Sequence, residues 1–177
     1  MQNERIYLIG MPGCGKSTEG KKLARKLGWS FLDLDAEVEK EEGQSIEQIF
    51  STLGELAFRK NEQVQLKKTF HLKRYIIACG GGTISFDNNM QLIKDNGISM
   101  YLNASNAFIL QRILASKQSR PLFNGLSEVE ITVKIKEIQE SRKPFYEQAS
   151  LLVNIPKESG KPMLDKALEA IRSFEKT

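Results

Sequence analysis

The sequence predicts an α/β fold, a three-layer α/β/α sandwich built on a five-stranded parallel sheet. Three observations carry that prediction. Five short runs rich in β-formers, Arg5 to Ile9, Ser30 to Leu34, Tyr75 to Cys79, Ile98 to Leu102 and Leu151 to Ile155, are mostly apolar without strict alternation, as strands buried on both faces are. Segments of helical character lie between the runs, and parallel neighbours need crossovers of that kind. A length of 177 residues, with 40% hydrophobic and 27% charged residues, suits one core and one domain spanning the chain.

Taken in order, the first run ends at a glycine-rich stretch, and Ser17 to Leu27 then carries Leu23, Ala24 and Leu27 on one face before stopping at Gly28. The second run, FLDLD, holds Asp33 and Asp35 two residues apart; in an extended strand both would point to the same side. Ser45-Ile-Glu-Gln48 and Ser127-Glu-Val-Glu130 have the spacing of capping boxes and so open further helices. Gly80-Gly81-Gly82 follows the third run, and Pro162 suits the first turn of a C-terminal helix. Lys117 to Ser127, KQSRPLFNGLS, interrupts the rhythm with Pro, Gly, Asn and Ser and reads as an exposed loop or lid.

Composition narrows the function classes. The 26 basic and 22 acidic residues leave a net charge of +4, and the basic ones are dispersed, which favours solvated helix faces over a nucleic-acid stripe. Two cysteines, no CxxC and one histidine make a disulfide scaffold or structural zinc site a poor fit. The apolar run in MQNERIYLIGMPG is too brief for a signal peptide or a membrane span, so the expected location is cytoplasmic, with no membrane partner.

Gly10-Met-Pro-Gly-Cys-Gly15-Lys16-Ser17 matches GxxxxGK[ST] between a predicted strand and a predicted helix. A random chain of this length shows that pattern on the order of once in a hundred, before the strand and helix context is imposed. The chemistry it points to is nucleoside triphosphate binding. Backbone N–H groups of Gly13, Cys14, Gly15, Lys16, Ser17 and Thr18 would cradle phosphate oxygens, Lys16 would reach the β and γ phosphates, and the Ser17 hydroxyl would ligate Mg²⁺. The loop leaves the phosphoryl acceptor open: water would make a switch or motor, a bound alcohol a metabolite kinase. No NKxD base-reading motif is present, and a small chain with one lid favours a kinase that keeps water out.

Asp33 and Asp35 at the end of the second strand, Arg59 on a helix and the three glycines lie where an acceptor site of an open α/β sheet would assemble. With these residues in view the sequence closely resembles the shikimate kinase family. The resemblance covers nearly the whole chain and runs through GMPGCGKST at 10–18, LDLD at 32–35, GELAFR at 54–59, CGGGT at 79–83, RPLF at 120–123 and RKPFY at 142–146. It implies a P-loop kinase fold like that of nucleoside monophosphate kinases, with a substrate-binding helical region at about residues 34–62 and a lid at about 113–127. It also implies transfer of the γ-phosphoryl of ATP to the 3-hydroxyl of shikimate, a step toward chorismate and the aromatic amino acids, with Mg²⁺ as cofactor; a monomer is the default expectation for a small kinase.

Carried over by position, the resemblance makes Asp35 the hydroxyl-binding aspartate and candidate base, and Asp33 with Ser17 the metal ligands. Arg59 and Arg142 grip the substrate carboxylate, Gly80, Gly81 and Gly82 border the ring, Lys16 and Arg120 act on the phosphates, and Arg112 lies near the adenine. Arginine forks fit a carboxylate bidentately. In a loose phosphoryl-transfer transition state, positioning and charge neutralisation matter more than base strength. The chain departs from the family at Thr83, where Ala or Gly is common, and at the last strand, which lacks the aspartate many relatives show; Asn154, Ile155 and Pro156 are either base-side contacts or purely structural residues. A gluconate-type kinase would share the P-loop without the FR and GGG signatures, and a non-catalytic nucleotide-binding module would not keep all these polar residues intact.

Overall fold

A computed structural model of the protein describes residues 5–116, 120–155 and 162–175. Five strands form one sheet: β1 (Arg5–Ile9), β2 (Ser30–Asp33), β3 (Tyr75–Ala78), β4 (Ile98–Asn103) and β5 (Leu151–Asn154). All run parallel, in the order β2-β3-β1-β4-β5. Eight α-helices accompany them among the described residues: α1 (Lys16–Leu27), α2 (Leu34–Glu42), α3 (Ile46–Thr52), α4 (Gly54–Lys68), α5 (Asn89–Asn96), α6 (Asn106–Leu114), α7 (Glu128–Tyr146) and α8 (Met163–Phe174). The predicted α/β/α architecture is the one observed.

The apolar runs become strands because both faces of the sheet are covered. In the central strand every residue from Ile6 to Ile9 is buried, and helices lie across it, with α1 against β3 and α8, and α5 against β4. Such strands have no solvent face and need no alternation. Pairing of Leu8 with Ala78, and of Ala78 with Asp33, levels the carboxyl ends of β1, β3 and β2. The connection from β1 runs to β2 and that from the adjacent β3 runs the opposite way to β4, so a crevice opens at the carboxyl ends of these two strands. Helices α2, α3 and α4 wall one side of that crevice around their own small core of Val38, Ile49 and Phe58.

Local signals explain the helix ends. Gly28 closes α1 at φ 66°, its N–H donating to the carbonyls of Ala24 and Arg25, a left-handed cap that suits glycine. Both predicted capping boxes form, Ser45 with Gln48 on α3 and Ser127 with Glu130 on α7. Two expectations need correction. The FLDLD stretch is not a continuous strand: β2 ends at Asp33, whose carboxylate caps α2 by accepting the Asp35 N–H at 3.2 Å. N-capping by aspartate wins over extension here. Pro162 stands at the N-cap of α8 and not in its first turn, its carbonyl accepting from the N–H groups of Asp165 and Lys166.

Of the expected loop, residues 117–119 lie outside the described residues. Pro121–Phe123 forms a 3₁₀ turn with Phe123 buried. Asn124 Nδ2 then donates to Glu47 Oε1 of α3 at 3.1 Å, tying this segment to the helices across the crevice. Because the Ser127 box satisfies free donors at the start of the longest helix, Ser127→Ala is expected to cost about 1 kcal/mol. A urea titration comparing midpoints at equal slope checks this; an unchanged midpoint would show that the box contributes nothing.

Candidate active site

The crevice is a cleft of roughly 680 Å³ lined by Gly13, Gly15, Lys16, Ser17 and Thr18 of the loop after β1, by Asp33 and Asp35, by Phe50, Phe58 and Arg59, and by Gly81 and Gly82. Arg120 and Pro121–Phe123 also line it. Thus the loop, the aspartates, the glycine turn and the lid arginine, scattered over more than a hundred positions, share one space.

At the phosphate loop, Gly15 sits at φ 99° as the N-cap of α1, a backbone region that residues with a Cβ rarely adopt. The loop therefore turns its N–H groups and the positive end of α1 toward the cleft. Lys16 Nζ donates to the carbonyls of Gly10 and Met11 at 2.9 and 3.0 Å, which folds the ammonium back over the loop. The Ser17 hydroxyl donates to Asp33 Oδ2 at 2.5 Å. Cys14 does not face the cleft: its side chain is buried and its N–H donates to Met11 O at 3.2 Å. A small apolar residue packs under the loop there, and the expected contact of Cys14 with phosphate is not what this conformation offers.

Asp35 reaches the cleft from the first turn of α2, so the start of the helix, and not a strand period, brings the two aspartates together. Burial pushes the Asp35 carboxyl up to about 7, reinforced by the charges of Glu62 and Asp33 and opposed by Lys16 and Arg59. Arg120 is close enough for the Asp35 charge to act on it; desolvation lowers its affinity for a proton, and its Nε is buried without a partner.

The glycine turn brings two guanidiniums together by close approach. A Cβ at Gly82 would lie 2.6 Å from Arg59 Nη2, and one at Gly81 would lie 2.7 Å from Pro12 Cγ and 3.4 Å from Arg142 Nη1. Arg59 and Arg142 keep 9% and 8% exposure, and together with Gly82 they line a second opening beside Glu55 and Phe86. Arg59 donates from Nη1 to Glu62 Oε2 at 2.9 Å and from Nη2 to Glu55 Oε1 at 3.1 Å. Arg142 Nη1, in contrast, is buried with no hydrogen-bond partner. Desolvation, with the like charge of Arg59 behind it, lowers the Arg142 proton affinity, yet a guanidinium stays charged at neutral pH.

The remaining expectations divide. Gly80 is buried, and a Cβ there would meet Glu62 Oε1 and Asp35 Oδ1, so it spaces those carboxylates and does not line the cleft. Arg112 lines the cleft and stacks over the Phe108 ring at 5.5 Å. Asn154 accepts from Asn103 Nδ2, and Ile155 N–H donates to Asn103 O; both serve the sheet edge and neither lines the cleft. Pro156 lies outside the described residues. Sequence reasoning missed Glu62, Phe50 and Phe58. The i,i+3 spacing from Arg59 was the available signal for Glu62.

A phosphate loop beside a Ser–Asp oxygen pair, facing a cleft that ends in paired arginines, defines a P-loop kinase of small molecules. The family model for shikimate kinase matches residues 12–172. The shikimate kinase of Parabacteroides distasonis is 36% identical over 154 residues, which is 87% of this chain and 89% of that protein. Among solved structures, shikimate kinase from Bacteroides thetaiotaomicron superimposes with a TM-score of 0.88 at 30% identity, covering 98% of both chains. One from Acinetobacter baumannii in complex with shikimate gives 0.88 at 34% identity, covering 97% of this chain and 94% of that one. The chain belongs to the shikimate kinase family, and it is an ATP-dependent kinase of shikimate. Among the described residues no helix is long and apolar enough to cross a membrane.

A carboxylate raised to about 7 in the folded state weakens the fold as pH climbs from the ordinary aspartate value through 7, because ionisation then costs more in the folded than in the unfolded protein. Asp35→Asn is therefore expected to raise the melting temperature of the ligand-free protein at pH 8 by a few degrees, about 1 kcal/mol, and to leave it unchanged at pH 4. A lower melting temperature at pH 8 would contradict the strain assigned to this carboxylate.

Proposed function

We propose that ATP lies along the phosphate loop, that shikimate sits against the glycine turn, and that the γ-phosphoryl passes to the 3-hydroxyl between them. The observation that carries this reading is the buried, unpartnered Nη1 of Arg142 beside Arg59. Two adjacent guanidiniums in a desolvated wall call for an anion, and a carboxylate matches their forked donors. With its carboxylate held there, a small polyhydroxy acid directs its hydroxyls across the cleft to Asp35. Gluconate, the nearest alternative acceptor, is a flexible chain; the rigid spacing from paired arginines to Asp35 favours a ring.

Asp35 accepts the hydrogen bond of the attacking hydroxyl and orients it toward the loop. Its elevated proton affinity suits transient acceptance of that proton near neutral pH. The N–H groups of Gly13, Gly15, Lys16, Ser17 and Thr18 hold the phosphates, Lys16 turns from its loop carbonyls to the transferring group, and Arg120 covers it from the lid. The Ser17 hydroxyl and Asp33 carboxylate, 2.5 Å apart, form an all-oxygen pair of the kind that suits Mg²⁺, which takes few protein ligands and completes its shell with phosphates and water. When bound, the ion neutralises phosphate charge. Residues 34–62 bind the acceptor and 113–127 act as the lid, within a single-domain, cytoplasmic, monomeric enzyme.

A coupled ADP-release assay with ATP and Mg²⁺ is expected to give turnover with shikimate and none with gluconate; the reverse would overturn the assignment. In the same assay Arg59→Ala is expected to raise the shikimate KM by about tenfold or more, with the ATP KM nearly unchanged. Equal losses for both substrates would remove Arg59 from the acceptor site. Asp33→Asn is expected to raise the Mg²⁺ concentration for half-maximal rate several-fold, read from a metal titration at saturating substrates. An unchanged titration would exclude Asp33 from the metal site.

A further inference from the structure

Behind the acceptor end of the cleft runs a chain of hydrogen bonds that the reaction scheme leaves unused. Glu62 of α4 has no exposed surface. Its Oε2 accepts from Arg59 Nη1 at 2.9 Å, and its Oε1 accepts from the hydroxyl of Thr83. Thr83 is fully buried as well and directly follows the glycine turn. Gly80 O is a second acceptor within 3.0 Å of that hydroxyl, but one proton serves both, and an ionised carboxylate is the stronger acceptor. The Thr83 carbonyl accepts from Asn89 Nδ2 at 2.8 Å, and Asn89 Oδ1 accepts from Gln63 Nε2 at 2.8 Å. Since Arg59, Glu62 and Gln63 all belong to α4, the chain leaves that helix through Glu62 and returns to it through Asn89.

The space around Glu62 Oε1 shows why a donor is needed there. A Cβ on Gly80 would lie 2.2 Å from this oxygen, 2.7 Å from Asp35 Oδ1 and 3.1 Å from Thr83 Oγ1. Two carboxylate oxygens thus face one small space, and the threonine hydroxyl is the neutral donor beside them. Without it, Oε1 would lose its hydroxyl donor while staying out of solvent, which costs the desolvation of that oxygen. The cheapest relief is rotation of the Glu62 carboxylate, and the guanidinium bonded to its other oxygen would move with it.

We propose that Thr83 is a positioning residue for the acceptor. Its hydroxyl holds Glu62 through Oε1 so that Oε2 sets the Arg59 guanidinium against Gly82, where it meets the substrate carboxylate. This rests on the reading of Arg59 as a carboxylate ligand.

Thr83→Val deletes the hydroxyl at nearly constant volume and keeps the carbonyl that Asn89 binds. The shikimate KM is expected to rise about tenfold, with kcat and the ATP KM within about threefold of the parent; Thr83→Ser is expected to bring the shikimate KM back to within about threefold. The proposal is overturned by a parental shikimate KM in Thr83→Val, by equal losses in kcat and both KM values, or by Thr83→Ser being as impaired as Thr83→Val. If Thr83→Val does not yield folded protein, shikimate affinity of Thr83→Ala by calorimetry, weakened or parental, decides the same point. Arg59→Ala assayed in parallel separates the two ideas. An Arg59 effect on shikimate KM without a Thr83 effect defeats the Thr83 proposal alone, whereas an unchanged KM in Arg59→Ala removes the carboxylate reading and this proposal with it.

Discussion

The ion pair between Arg59 and the wholly buried Glu62 is the interaction on which the acceptor half of the cleft depends. A carboxylate without solvent is tolerable only when its geometry is good and both oxygens are satisfied. Helix periodicity supplies the first condition by placing Glu62 three positions after Arg59, 2.9 Å from it. Backbone that runs against the pair without a Cβ meets the steric demand, which is why Gly80 and Gly82 stand where Glu62 and Arg59 approach the turn. Arg142 adds a second guanidinium beside the pair, and the Asp35 carboxyl faces the same turn at Gly80. Glu55, which also meets Arg59, is 57% exposed, and solvent screens its contribution.

The parallel sheet decides what faces this wall of the cleft. Level strand ends put the phosphate loop, Asp33 and the glycine turn in one row. The switch from β2 to α2 at Leu34 then gives the neighbouring aspartates different surroundings. Asp33, still the last strand residue, spends one oxygen on the Asp35 N–H and the other on Ser17. Asp35, in the first turn of the helix, lies against Gly80. The two like charges are separated by what each one faces, which is what keeps them from being redundant.

Much of this was legible because it is local. The GMPGCGKS loop, both capping boxes, the Gly28 stop and the glycine triplet are short patterns whose physics lies within a few residues. The apolar spacing of FLDLD predicts continuous strand because spacing alone cannot show that Asp33 caps the next helix. Cys14 sits inside a motif whose spacing predicts phosphate contact, but packing turned it inward. Glu62 and Thr83 stand 21 positions apart in the chain, and nothing in either neighbourhood announces that a helix and a turn will press them together. Asn154 was singled out for the absence of a different residue, and the structure uses it for sheet-edge bonding instead.

The segment that carries Arg120 joins the two sides of the cleft. Arg120 lines the cleft together with the phosphate loop, and a few residues on Asn124 bonds to Glu47 of α3 across it. Arg120 Nε is already out of solvent and the Asp35 charge already acts on its guanidinium. A guanidinium that lines the same cleft as the phosphate loop is therefore carried by a segment bonded to α3. For a kinase that must withhold phosphate from water, that bond ties the position of Arg120 to the helices that wall the opposite side of the crevice.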